Sequence, residues 1–231
     1  MKKKILILGG DPNSINSEII FKSWKKISKS TRKKIFLISN YNLINDQLKK
    51  LNLPIKLKKT ISLDDKINHQ YLKIIDIPIK YKNPFNVSKN DSSYMVLNSL
   101  KMAHKFSLKD KKVLGIINCP INKTLLKKNN IGVTEYLAKM CGIKDHSEVM
   151  LLKSKKISVV PITTHLDLNQ VSKNINSKII FKKILTLHSW LKSTLKIKPK
   201  ICILGLNPHN SELKKNSEEK KIIIPTIKRL R

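Results

Sequence analysis

The sequence predicts an α/β fold: a largely parallel sheet with helices on both faces. Two observations lead there. Short β-branched runs alternate with amphipathic helical stretches along all 231 residues, with no internal repeat and no linker. Several of the runs end in polar turns, the place where open α/β sheets bind ligands. At this length, with 40% apolar residues, the chain can bury a sizeable core.

Taken in order, Lys4 to Leu8 reads as a short buried strand, and Gly9-Gly10-Asp11-Pro12 as a turn. Asn16 or Ser17 can cap a helix running to about Ser28, with Ile20, Trp24 and Ile27 on one face. Strand, glycine turn and helix N-terminus form an arrangement that can receive an anion, although no Gly-x-Gly-x-x-Gly or Walker pattern is present. Lys34 to Ser39 is a second strand and Leu43 to Leu51 a helix, and residues 52 to 80 read as short strands. Asn83 to Asn86 is a loop, and Asp91 or Ser92 opens a helix to about Lys105. Val113 to Ile117 is a strand, and Thr134 to Cys141 a helix closed by Gly142. A strand ending at His165 follows, then a helix from Ser177 to Leu195, a strand leading to His209, and a helix from about Glu218.

Composition excludes several classes. The formal net charge of +33 would point to nucleic acid or an anionic surface. The excess, however, is almost all lysine spread over the whole length, with Arg32, Arg229 and Arg231 the only arginines and aromatics at 5%. That pattern describes a solvated surface rather than a nucleic-acid patch. Cys119, Cys141 and Cys202 show no Cys-x-x-Cys spacing, so reduced thiols are expected. The N-terminal apolar run is too short for a signal peptide, and no segment reaches the roughly 18 apolar residues of a membrane span. A soluble cytoplasmic protein with no membrane partner is expected.

The stretches Lys156-Ile-Ser-Val-Val-Pro-Ile-Thr-Thr-His165 and Lys200-Ile-Cys-Ile-Leu-Gly-Leu-Asn-Pro-His209 share one grammar: apolar run, polar turn, histidine. Two strands delivering histidines to one sheet edge could share a metal ion. Equally, each can be a hydrogen-bonded loop histidine.

Ordered blocks resolve the wider pattern. They are Gly10-Asp11-Pro12 with Glu18-Ile19, Pro120-Ile121-Asn122-Lys123, Thr134-Glu135-Tyr136-Leu137-Ala138, and Thr163-Thr164-His165 with Leu168. Gly205-Leu206-Asn207-Pro208-His209 with Glu212, and then Ile224-Pro225, complete the series. In this order the chain resembles the 4-hydroxythreonine-4-phosphate dehydrogenases of pyridoxal phosphate biosynthesis. The resemblance implies a single dehydrogenase domain over 1–231, formed by two interleaved lobes around a cleft and akin to isocitrate and isopropylmalate dehydrogenases. It further implies a homodimer acting on a phosphorylated hydroxy amino acid with NAD or NADP and a divalent metal such as Zn, Mg or Co. His165 and His209 match the first two of three metal histidines, and Thr134 matches a substrate-binding threonine. No catalytic base is assigned. Lys123 could neutralise a phosphate or lie in solvent, and Cys119 reads as a small buried residue. His69, His104, His146 and His188 read as structural or surface residues.

The sequence also departs from the family pattern. Val133 stands where the family has a substrate-binding histidine, and the loop Asn129-Asn130-Ile131-Gly132 is short. Ser14 and Asn16 replace glycines of the first loop, and the loop after His209 has lost its glycines. The family's C-terminal part, with the third histidine, has no counterpart before Arg231. The sequence therefore admits two other readings: a dehydrogenase of a related four-carbon sugar-acid phosphate, or a non-catalytic remnant.

Overall fold

A computed structural model describes residues 3–126 and 132–231, in two compact units, Met1–Val133 and Thr134–Arg231. The first unit carries the parallel sheet. Its strands are β1 (Lys4–Leu8), β2 (Ile35–Ser39), β3 (Lys56–Thr60), β4 (Tyr71–Asp76) and β5 (Val113–Asn118), in the order β3-β4-β2-β1-β5, and all neighbours run parallel. The helices of this unit are α1 (Asn16–Lys26), α2 (Lys29–Arg32), α3 (Tyr41–Lys50) and α4 (Lys89–Lys109).

Strand alternation explains how the sheet is covered. Ile35 and Leu37 pack with Leu72 and Ile74 against Ile20, Phe21 and Trp24 of α1 and Ile44 and Leu48 of α3. Phe36 and Ile38, pointing the other way, are also buried, so β2 is enclosed on both faces. The helix α4 runs along β1, β2 and β5 and buries Met95, Val96, Leu100 and Ala103. The α/β expectation holds here: a five-stranded parallel sheet flanked by helices.

The helix starts differ from the sequence expectation in instructive ways. The α4 helix opens three residues early: the Ser88 hydroxyl accepts from Asp91 N–H at 3.1 Å and donates to the Asp91 carboxylate at 2.6 Å. Asp91 is thus the partner in a reciprocal cap and not the cap itself. At α1 the N-cap position falls on Ile15, with no side-chain cap. Asn16 is the first helical residue, and its amide turns back into the preceding loop.

The second unit contains α5 (Val133–Met140), the paired β6 (Leu152–Lys153) and β7 (Ser158–Val159), α6 (Leu168–Asn174), α7 (Ser177–Thr194) and α8 (Ile224–Leu230). Its first helix closes as expected, with Gly142 at φ +75°, Gly142 N–H donating to Lys139 O and Ile143 N–H to Ala138 O. A π-turn over Glu219–Ile223 leads into α8, where Ile224 N–H reaches back to Glu219 O. Pro225 has no N–H for the normal helical ladder, so the wider turn carries the chain past it.

Here the sequence reading needs correcting. The two long histidine-bearing strands do not form. Only Ser158–Val159 pairs, antiparallel to Leu152–Lys153, and 201–205 carries no strand among the described residues. A β-branched apolar run becomes a strand only where a neighbour satisfies its backbone N–H and C=O groups. The described residues give the second run no such neighbour, and Leu204 stays 78% exposed.

Candidate functional site

In the first unit, β2 lies on one side of β1 and β5 on the other, so chain order reverses between β1 and β5. Such a switch point opens a crevice at the carboxyl ends of the strands. The loops there are Gly9–Asn13 and the stretch from Cys119 into a short 3-10 turn at Lys123–Leu126. Asn16 fastens them to each other. Its buried amide donates to Gly9 O at 3.0 Å, Asp11 O at 3.0 Å and Pro120 O at 2.9 Å, and Asp11 N–H also donates to Pro120 O at 3.0 Å. Gln47 adds bonds to Pro12 O and Pro84 O, and Asn13 pairs with both backbone groups of Val87.

Gly10 has φ +72°, and a Cβ there would sit 2.5 Å from both Asn16 Nδ2 and Pro120 O. Neither Ser14 nor Asn16 takes a left-handed backbone, so their replacing glycine costs no backbone strain. The Asn16 amide makes this loop a strut between the exit of β1 and the chain leaving β5.

Cys119 at the end of β5 is buried, and burial pushes its thiol up to about 11. It is a packing residue, not a nucleophile. Lys123 is exposed.

The opposite end of the sheet holds a cavity of about 760 Å³, with Lys33, Asp64, Lys66, Lys73 and Lys112 among its lining. Its buried lysines are already engaged. Lys4 bonds Asp64 and Asp110 at 2.7 Å each, while Lys73 donates to Lys33 O at 2.6 Å and lies 3.9 Å from the Phe36 ring centroid. Burial opposes the Lys4 charge, but the two carboxylates outweigh it and raise its pKa. This end is structural.

The three residues singled out by resemblance, Thr134, His165 and His209, all lie in the second unit. Thr134 is the second residue of α5, half-buried and inside the first turn. Its neighbour Glu135 accepts a hydrogen bond from the Thr164 hydroxyl at 3.0 Å. The start of α5 is thereby joined to the tip carrying His165. His165 is exposed and left-handed, at φ +56°. Histidine tolerates that region better than branched residues.

His209 is exposed on a second tip. Its N–H donates to Asn207 Oδ1 at 2.8 Å, and its carbonyl accepts from Glu212 N–H at 2.9 Å. The short 3-10 turn Asn210–Leu213 follows, with Asn210 at φ +49° and Glu212 at φ +50°. Left-handed turns thus occur in the very stretch that has lost its glycines. Glu219, only 2% exposed, reaches under this tip and accepts from Leu206 N–H at 3.0 Å and Asn207 N–H at 3.1 Å. Sequence reasoning missed it, because a glutamate within a lysine-rich helix start carries no motif. Of the remaining histidines, His146 lies 3.7 Å from the Glu148 carboxylate.

Imidazole is the right donor for a divalent cation, and both tips present one to solvent. Among the described residues, however, no three His, Cys, Asp or Glu side chains gather as a metal would need. The donor type fits and the ligand set is not assembled. The short loop before α5 lies mostly outside the described residues.

The comparisons with known proteins now bear on this arrangement. The family described as "Pyridoxal phosphate biosynthetic protein PdxA" matches residues 31–231. The chain belongs to this family. A PdxA relative from Sulfurihydrogenibium sp. (strain YO3AOP1), named 4-hydroxythreonine-4-phosphate dehydrogenase, is 31% identical over 99% of this chain and 70% of its own length. A relative from Oceanobacillus iheyensis, named provisionally for D-threonate 4-phosphate dehydrogenation, is 29% identical over 98% of this chain and 70% of its own. The crystal structure of 4-hydroxythreonine-4-phosphate dehydrogenase from Klebsiella pneumoniae superposes with a TM-score of 0.85 at 25% identity, covering all of this chain and 72% of that one. Its PdxA relatives are thus oxidoreductases by name, and the fold is theirs. No helix described here is long and apolar enough to cross a membrane.

Proposed function

We propose that the chain is a cytoplasmic, homodimeric dehydrogenase that oxidises the secondary hydroxyl of 4-hydroxythreonine 4-phosphate, passing hydride to NAD or NADP, after which the β-keto acid loses carbon dioxide. The observation that carries this reading is the PdxA match over residues 31–231. His165 and His209, as neutral imidazoles, would hold a divalent cation. Bound there, such a cation supplies Lewis acidity that stabilises negative charge on the substrate oxygen.

The chain's own residues have simpler tasks. Thr134 offers a hydroxyl that can donate to and accept from a substrate group. Glu135 and Thr164 keep that helix start registered with the His165 tip. Val133 cannot hydrogen-bond, so the substrate group that a histidine would meet there must be held by water or another partner.

The Oceanobacillus relative and Val133 together favour one second reading, a four-carbon sugar-acid phosphate such as D-threonate 4-phosphate. Nicotinamide reduction, followed with each substrate, each nucleotide and added Zn, Mg or Co, decides between them. Turnover with 4-hydroxythreonine 4-phosphate alone supports the first reading and turnover with the sugar acid the second. Silence with both defeats the enzyme reading for this chain. Light scattering checks the dimer.

A further inference from the structure

The tip that carries His209 is held from beneath by a residue outside any recognised block. Glu219 is almost fully buried, yet it spends one carboxylate oxygen on two successive backbone donors, Leu206 N–H and Asn207 N–H. Its other oxygen is buried as well. A carboxylate is costly to bury unless backbone donors meet it, as these two do.

What the bonds hold is specific. Asn207, fixed through its N–H, presents its side-chain carbonyl to His209 N–H at 2.8 Å, and its backbone carbonyl accepts from Asn210 N–H at 2.8 Å. Two residues before it, Gly205 packs closely on the same turn: an added Cβ would collide with the Asn210 Oδ1 side-chain oxygen. The chain from Glu219 to His209 is therefore short and continuous: carboxylate, Asn207 backbone, Asn207 side chain, His209 backbone. Glu219 itself stands at the first position of the π-turn that enters α8, anchored by buried Ile223 and Thr226. Hydrogen bonds from its own N–H, from Asn207 and from Leu206 hold its carboxyl below the ordinary range, so it is ionised at neutral pH.

We propose that Glu219 is the positioning residue of the His209 tip, fixing Leu206 and Asn207 so that the imidazole is presented in one direction to a divalent cation. This rests on the metal reading of the two histidines. It adds a residue that acts through another, since Glu219 does not itself reach the ion. An outer partner of this kind is worth about 10–100-fold in metal affinity.

The test uses the full chain and the variants E219A, E219Q and H209A. Amide hydrogen exchange reads the clamp at Leu206 and Asn207, zinc titration reads affinity, and the visible spectrum of bound cobalt reads coordination. Circular dichroism confirms that each variant keeps its helices. E219A should lose protection at both amides and bind zinc about 10–100-fold more weakly. E219Q, which keeps a carbonyl oxygen in the same place, should restore most of both and stands in if E219A fails to fold. Unchanged protection in E219A overturns the clamp, and lost protection with unchanged zinc affinity overturns the positioning role. Wild type binding zinc no better than H209A defeats the metal reading instead, and exchange at Leu206 and Asn207 then judges the clamp alone.

Discussion

At the scale of single residues, the two loops that matter are held by side chains doing unusual backbone duty. Asn16 places one NH₂ group against three carbonyl oxygens. Asn16→Ala should therefore cost about 2 kcal/mol, the penalty for leaving buried acceptors unpaired. Asn16→Asp, nearly identical in shape, should cost more, because it aims a carboxylate at the same oxygens. Urea denaturation ranks the two, and an Asp variant as stable as wild type would contradict the strut. Glu212 supplies a prediction of opposite sign. It is exposed and left-handed at φ +50°, a region that penalises residues bearing a Cβ. Glu212→Gly should raise stability by up to about 1 kcal/mol, and clear destabilisation would show that the carboxylate has a structural partner.

At the scale of elements, burial separates the cysteines. Cys119 closes β5 inside the core, while Cys141 and Cys202 are exposed. Iodoacetamide applied to the native protein at neutral pH should alkylate the latter two and spare Cys119 until denaturant is added, as peptide mass spectrometry will show. Acid should loosen particular joins between elements. Lys182 on α7 donates to Asp145 at 2.5 Å and, with Ser147, lowers that carboxyl to about 2. Lys4 at the start of β1 lowers Asp64 and Asp110 in the same way. A carboxylate whose folded pKa is depressed contributes stability above its unfolded value and loses it as pH falls through the folded one. The window for Asp145 runs from 3.8 down to about 2. Denaturation midpoints should thus fall as pH drops below about 4, and Asp145→Asn should flatten that slope.

At the scale of the whole molecule, 48 lysines and arginines against 15 acids make self-repulsion a general cost of compactness. The melting temperature should rise between about 0.01 M and 0.15 M salt, as the screening length shrinks from about 30 Å to about 8 Å. A flat or falling curve would mean that the charge is already compensated locally. The parallel sheet was legible in the sequence because β1, β2 and β5 are apolar runs bounded by turn residues, and period and punctuation are local signals. The fate of 201–205 was not, since strand formation depends on a neighbour and not on composition. For the site, Thr134, His165 and His209 could be picked out through family blocks. Glu219 and Asn16 could not, because a side chain bonding to backbone leaves no spacing to recognise.

The Asn16 strut also provides a built-in reporter. Its two side-chain amide protons are enclosed by oxygens from β1's exit, the following loop and the chain leaving β5. They should resonate apart from the crowded asparagine envelope and exchange slowly with solvent. One pair of signals would then tell whether the loop after β1 and the distant chain leaving β5 have assembled, without any label, ligand or turnover.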